Sequence, residues 1–344
     1  MGAYRMLPFV LMPGGINTFT VALDMDTVHV SMASGGAYVG IHAGFWSQLE
    51  SMPAGRRFRR GVSSYSGSSA GALVGSQLAL GVTGSAISDD VLCGGLGKNK
   101  YLRGFAVYLG LKKEMYSGPV YYNRMMRLSL HTAYRRVPIQ IAVTDAMFEQ
   151  KCVPYGTRAE TSAIVNAAVA SASIPWVLPS RPVEPHGLCV DGSLTRSSFP
   201  DDAVVDTIRT KSGTLVLLNC IPWPGFRKST QPRGFMSRLV NSYGNALYCH
   251  GMEVIREELS GIKFRDGIFD LRIDNQSGSP VVSDTGNLRV IMVAPTEAQY
   301  DLCGGNDSIA LLDYTRTSAM QRRMTSQGRL MANEFAVRYC GMEL

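Results

Sequence analysis

Apolar and polar positions alternate along Thr27-Val28-His29-Val30-Ser31-Met32, the period of a half-buried β-strand, and the alternation then breaks into Ala33-Ser34-Gly35-Gly36. Beyond the break the period lengthens. Ile41, Phe45, Trp46 and Leu49 fall on one face of a helix over 41–50, as a helix packed on a sheet requires. A second strand, Val62 to Ser66, runs into Gly67-Ser68-Ser69-Ala70-Gly71, after which small residues predict a helix from about Ala70. Further on, Ala163 to Ala172 predicts another small-residue helix, ended by Ser173-Ile174-Pro175 with Pro179 extending the break. Leu188-Cys189-Val190 suits a short buried strand ending at Asp191. Strands near 27–32, 62–66, 137–143, 188–191, 214–219 and 288–293, interleaved with helices, predict one large α/β domain with appendages. The stretch 81–136 is less regular. Its Tyr- and Met-rich part, Tyr116 to Met126, reads either as core helix with Met as filler or as a substrate-facing insertion. Phe235 to Leu259 has mostly helical character, and Asp313 to Leu344 predicts an Arg-bearing helix at the surface or at an interface.

Composition narrows the class. A chain of 344 residues, 45% hydrophobic, can bury a sizeable core, and no internal repeat interrupts it. Seven cysteines without CxxC spacing fit neither a disulfide framework nor a zinc site, and point to a reducing compartment. The short apolar run Leu7 to Met12 contains Pro8 and is too brief for a convincing signal peptide. No run approaches a membrane span, so a cytoplasmic protein is expected. The net charge of +7 suits a partner with negative charge. Its densest cluster, Arg56-Arg57-Phe58-Arg59-Arg60, has three readings: a solvated loop ahead of the second strand, a contact with anionic lipid head groups, or a nucleic-acid contact.

Candidate chemistry concentrates at the strand ends. In a Gly-x-Ser-x-Gly turn between strand and helix, the serine takes a strained backbone conformation and its hydroxyl stands exposed at the helix N-terminus, where the Ala70 N–H can meet an anionic oxygen. The Gly-rich segment after the first strand clusters backbone N–H groups of the kind that bind a phosphate or a developing oxyanion. Glycines at 35, 36, 40 and 44 do not fit Gly-x-Gly-x-x-Gly, and no Gly-Lys-Ser/Thr follows, so the dinucleotide and phosphate-loop readings fail. Tight packing at those glycines is the blander alternative. The pair Asp191-Gly192 is by itself a turn signal. A triad in the order Ser69, Asp191, His250 also competes, but His250 falls in the helical stretch and not on a loop after the last strand. His42 and His29 read as packing or hydrogen-bonding residues, and His131 and His186 fall in loops.

At these elements the sequence resembles the patatin-like phospholipase family. Ser34-Gly35-Gly36 through Gly44 resembles its Gly-rich oxyanion loop, and Gly67-Ser68-Ser69-Ala70-Gly71-Ala72-Leu73 its elbow. Pro138 to Asp145 looks like its central strand, and Ala170-Ser171-Ala172-Ser173-Ile174-Pro175 and Asp191-Gly192 look like its later motifs. Within that pattern Ser34 replaces a glycine, Tyr38 or Val39 occupies a usually basic position, Ser193 follows Asp191-Gly192, and Ser198-Phe199-Pro200 stands for Asn-x-Pro. The resemblance implies a three-layer α/β/α fold around a mostly parallel sheet over residues 26–330, with an N-terminal extension (1–25) and a C-terminal tail (331–344). It implies a Ser69-Asp191 dyad that cleaves phospholipid or neutral-lipid acyl esters at a membrane surface. Gly35, Gly36 and Ala70 would be the oxyanion donors, and Gly40, Gly67, Gly71 and Gly192 the motif glycines. No metal is expected, since backbone amides hold the oxyanion and no Asp/Glu/His cluster has ligand spacing; no cofactor is expected, and no nucleic-acid partner. A catalytically silent lipid-binding protein on the same fold, or a triacylglycerol lipase or transacylase, would carry the same motifs.

Overall fold

The computed structural model describes residues 27–93, 118–175, 177–195, 198–210, 212–221, 257, 268–273, 280–281, 286–296, 298–299 and 318–340. Its strands are β1 (Val28–Met32), β2 (Val62–Ser68), β3 (Ile139–Thr144), β4 (Gln150–Tyr155), β5 (Arg181–Val183), β6 (Gly187–Asp191), β7 (Gly213–Leu218), β8 (Ile268–Ile273), β9 (Pro280–Val281) and β10 (Leu288–Val293). The helices are α1 (Val39–Ser51), α2 (Pro53–Gly61), α3 (Ala70–Ala79), α4 (Gly84–Cys93), α5 (Gly118–Leu128), α6 (Thr161–Ser171), α7 (Asp201–Thr210) and α8 (Ser318–Tyr339). Along the sheet β4-β3-β2-β1-β7-β10-β8-β9 are neighbours, and β6, which carries β5, joins the end of β3 that β2 leaves free. β3, β2, β1, β7 and β10 run parallel, and the outer strands join antiparallel.

Layering follows from handedness. Right-handed crossovers from β1 to β2 to β3 step one way along the sheet and lay their helices on one face, whereas α7, on the connection from the antiparallel β6 back to β7, packs on β4 and β7 instead. The sheet is thus the middle layer of an α/β/α sandwich. Val30, Ile141, Val216 and Val290 are buried in its centre, as parallel strands covered on both faces demand.

Each of the expected strands is present to within about two residues. Expectation and structure part at the basic cluster. Pro53 opens α2, and Arg56 to Arg60 lie inside that helix and not in a loop. Arg56 Nη1 donates to the Glu50 and Ser51 carbonyls at 3.1 and 3.0 Å, capping the end of α1. Arg59 is buried against Glu50, and Phe58 packs between Trp46 and Phe335. Only Arg57 and Arg60 of the cluster are exposed.

The Arg-bearing segment near the C-terminus forms α8, which packs along α1 and not at the surface alone. The two helices cross closely because glycines face each backbone: a Cβ at Gly44 would meet the Thr325 carbonyl oxygen at 2.1 Å, and one at Gly328 the Ile41 oxygen at 2.0 Å. Phe335 then reaches Phe45 and Phe58, closing an aromatic cluster beneath the sheet's helical face. Within 81–136, α4 and α5 are ordinary core helices with Met125 and Leu128 buried; residues 94–117 lie outside the described residues.

Candidate active site

Strand β2 pairs with β3 as far as Ser68 opposite Ala142 and then leaves the sheet. β4 covers all of β3 on the opposite edge. The next rung on the β2 edge is taken by β6, arriving antiparallel, with Asp191 opposite Val143 and Val190 opposite Thr144. Asp191 therefore occupies the place that β2 vacates, and the two side chains meet although 122 residues separate them: Ser69 Oγ donates to Asp191 Oδ2 at 2.6 Å.

Ser69 sits at φ 50°, ψ −117°, a left-handed conformation that a non-glycine residue holds only under restraint. The restraints are visible. A Cβ on Gly67 would approach the Gly71 carbonyl oxygen at 2.5 Å, and one on Gly71 the Met32 oxygen at 2.2 Å, so the corner closes only with glycine at both places. The Ser69 N–H donates to Ser171 Oγ at 2.9 Å. Ala70 opens α3, which leaves its N–H without an intrahelical acceptor.

Asp191 is 1% exposed and fully engaged. Oδ1 accepts from the Ser193 N–H at 2.9 Å and the Ser193 hydroxyl at 2.7 Å, which leaves Oδ2 to Ser69. Burial pushes its pKa above the ordinary aspartate value, against the bonds from Ser193 and Ser69 that favour the charged form. Its backbone is held as firmly. Asp191 N–H donates to Ser173 O at 3.1 Å, Gly192 N–H to Ser171 O at 3.0 Å, and Thr144 Oγ1 to Asp191 O at 2.8 Å. Gly192 approaches the Ala142 backbone so closely that a Cβ would stand 2.1 Å from its oxygen. Gln150 ties down the segment beyond, donating to Gly192 O at 2.7 Å and Phe199 O at 3.3 Å.

The Gly-rich segment is shorter than expected. It makes a single 3-10 turn, Gly36–Tyr38, before α1 begins, and Gly40 already lies inside α1 against Gln321 and Met324 of α8. Gly35 and Gly36 remain in the connection at the C-terminal end of β1, and Gly36, at φ 51°, takes a conformation that glycine adopts freely. The segment is anchored by Ser34 N–H to Ser198 O at 2.6 Å and by the Cys220 thiol to Ser34 O at 3.3 Å. Cys220 stays protonated, its pKa pushed up to about 12 by burial.

His42 hangs beneath this segment. Its Nε2–H donates to Ala33 O at 2.9 Å, and burial lowers its pKa to about 4, so it is a neutral packing residue as read from the sequence. His29, on β1, bonds Ser64 Oγ. His250 lies outside the described residues, and Ser69 Oγ has the Asp191 carboxylate as its partner. Among the described residues no group of His, Cys, Asp and Glu could hold a metal ion, and no helix is long and apolar enough to cross a membrane.

Sequence reasoning missed Ser171, Ser193, Thr144, Gln150 and Cys220 as site supports. Ser171 lies within the Ala-Ser-x-x-Ile-Pro motif and Cys220 follows a strand's C-terminal end, where α/β sheets place their sites, so both carried a signal. Thr144 ends β3 and Ser193 follows Asp191-Gly192, so these carried one too; Gln150 carried none.

The family description patatin-like phospholipase matches residues 30–204. No curated protein matches the sequence. Among solved structures, the chain is similar to VipD from Legionella pneumophila, at 10% identity and a TM-score of 0.38, covering 92% of this chain and 68% of that one. The type III effector protein ExoU matches at 16% identity and a TM-score of 0.31, covering 67% of this chain and 52% of that one. ExoU of Pseudomonas aeruginosa, in complex with SpcU, matches at 16% and 0.29, covering 70% and 54%. The chain spans about half the length of ExoU.

Proposed function

This chain belongs to the patatin-like phospholipase family, and from that membership and the site geometry we propose that it is a lipid acyl hydrolase acting through Ser69 and Asp191. The observation that carries the reading is the 2.6 Å bond from Ser69 Oγ to the one carboxylate oxygen of Asp191 that Ser193 leaves open. Ser69 Oγ attacks the ester carbonyl carbon and its proton passes to Asp191 Oδ2. The tetrahedral oxyanion is met by the N–H groups of Gly35, Gly36 and Ala70, each worth about 3 to 4 kcal/mol when well placed. Collapse expels the lipid alcohol, which takes the proton from Asp191 and leaves an acyl ester on Ser69. Water then attacks the acyl carbonyl and gives a proton to Asp191, and collapse releases the fatty acid as Ser69 Oγ leaves and takes that proton back.

The test is fatty-acid release from phosphatidylcholine vesicles with a chelator present, together with capture of the protein by an organophosphonate ester. Release that survives chelation, with the adduct mapped to Ser69, is expected. A folded protein that binds vesicles, releases nothing and takes no adduct would instead be a lipid-binding protein on this fold.

The pH dependence follows from the base. Asp191 must be a carboxylate to accept the proton, and burial raises its pKa, so kcat/KM should fall as pH drops through that raised value. The acid limb of the profile should lie above the ordinary aspartate range. A limb at the ordinary value would remove Asp191 as the base.

Ser171 is the positioning residue of this site, since its hydroxyl accepts the Ser69 N–H and its carbonyl the Gly192 N–H. Ser171→Ala leaves a buried N–H without its acceptor, which costs about 1 to 3 kcal/mol. The loss should appear as a five- to hundred-fold lower kcat with KM little changed. A shift in KM with kcat intact would place Ser171 in substrate binding instead.

A further inference from the structure

The turn from β3 to β4 breaks two rules at once. Met147 and Phe148 are 80% and 72% exposed at its tip, and Phe148 holds φ 59°, a left-handed conformation that turns usually give to Gly or Asn. The turn is nevertheless closed by hydrogen bonds. Asp145 Oδ1 accepts the Met147 and Glu149 N–H groups at 2.9 and 3.0 Å, and Asp145 N–H bonds Glu149 O at 3.0 Å. Two large apolar side chains are thus held out in water, one of them at a strained backbone, where a polar turn would be more stable.

Their place in the fold gives the exposure a use. β3 ends at Thr144, whose hydroxyl bonds the Asp191 carbonyl, so the tip rises from the sheet edge that carries Ser69 and Asp191. β6 passes the same edge in the opposite direction. With Val190 opposite Thr144, its first residues run on beside the turn. Leu188, 59% exposed, adds a third apolar side chain there. The charged and titratable groups around this tip are Asp145, Glu149, Lys151, His186 and Asp202, with Glu184 in the neighbouring β5–β6 turn, an acidic balance that does not favour an anionic surface. We propose that Met147, Phe148 and Leu188 form a docking tip that enters the surface of a zwitterionic lipid layer and sets the Ser69 edge against it. The proposal rests on the reading of the chain as a lipid hydrolase.

The test compares Met147→Ser/Phe148→Asn with the full chain on phosphatidylcholine vesicles, in a Ser69→Ala background so that binding is read without turnover. Asn tolerates the left-handed conformation, so the variant should unfold at the same temperature or higher. Vesicle partitioning is expected to fall at least tenfold, to depend little on salt and to gain nothing from added phosphatidylserine. With Ser69 restored, vesicle hydrolysis should fall by the same factor while a water-soluble short-chain ester is still cleaved. A Phe148→Trp variant should bind as the parent does and shift its emission to the blue on vesicles. Unchanged partitioning of the double variant overturns the tip, as would loss of self-association in place of loss of partitioning. If partitioning depends on Phe148 but no ester is cleaved, the tip stands and the hydrolase reading fails.

Discussion

Ser69→Ala and Asp191→Asn should each lower kcat on phospholipid by on the order of ten-thousand-fold, and the double variant should lose no more than either alone. Non-additivity is the sharper part of this expectation, because the two groups act as one unit. Without the hydroxyl there is no proton for Asp191 to take, and without the carboxylate the hydroxyl of Ser69 is not activated. Losses that multiplied would mean that the two residues serve separate steps. Stability should move the other way. Asp191 is buried with a raised pKa, so its contribution to stability is fully present below the unfolded-state pKa and is lost as pH rises through the folded one. Asp191→Asn removes that loss while its side chain can still accept from Ser193 and face Ser69 Oγ. It should therefore melt higher than the parent at neutral pH and about equal to it in acid. The strained corner provides a second check. At φ 50° a Cβ is unfavourable, by about 1 to 3 kcal/mol at such sites, and glycine returns only about 0.5 to 1 kcal/mol of that through its greater unfolded-state freedom. Ser69→Gly should thus be more stable than Ser69→Ala, although both are inactive.

Why the dyad could be read from the chain, and its surroundings could not, is a matter of where the information sits. Gly67, Gly71 and Gly192 are local demands of backbone against backbone, and each lies in a strand-to-turn context that periodicity marks. The parallel strands were legible in two ways: β1 alternates apolar with polar residues, and β7 and β10 are near-continuous apolar runs, broken in Leu288–Val293 only by Arg289. β4, in contrast, reads Gln-Lys-Cys-Val-Pro-Tyr, with Pro154 inside it, and is a strand only because β3 offers it a free edge. The rung on β3 that Asp191 takes from β2 is a tertiary event with no sequence signature. So is the burial of Arg59: a run of four arginines around one phenylalanine looks like a solvated or ligand-facing loop until α1, α3 and β2 close over one of them. Gly40 and Gly44 were drawn into the Gly-rich loop by spacing, whereas the helix they belong to uses the i, i+4 pair against α8.

Arg59→Ala should destabilise the protein by about 3 to 5 kcal/mol, the cost of stranding a buried partner charge. The Arg59 and Glu50 side chains are 1% and 7% exposed, with Arg59 Nε 3.2 Å from Glu50 Oε1. Arg59 Nη1 also donates to Tyr65 Oη and Nη2 to Leu78 O, both at 2.5 Å, and the guanidinium lies against the rings of Trp46, Tyr65 and Tyr134. The residue therefore ties α2 to α1, to β2 and to the far end of α3, whose near end carries Ser69. Burial already raises the pKa of Glu50, which Arg59 and the Gly84 N–H oppose. Without Arg59 the carboxyl rises further, and the penalty grows as pH increases through its folded-state value. Urea unfolding at two pH values reads this directly: the deficit of Arg59→Ala should shrink in acid. Arg59→Met with Glu50→Gln removes both charges while keeping an acceptor for Gly84, and should recover at least about 1 kcal/mol. A cost below about 1 kcal/mol, the scale of an exposed pair, would mean that Arg59 is solvated after all and return the cluster to the list of surfaces available to an anionic partner. A large cost leaves the exposed Arg57 and Arg60, with the half-buried Arg56 beside them, as the arginines of the run that such a partner could reach.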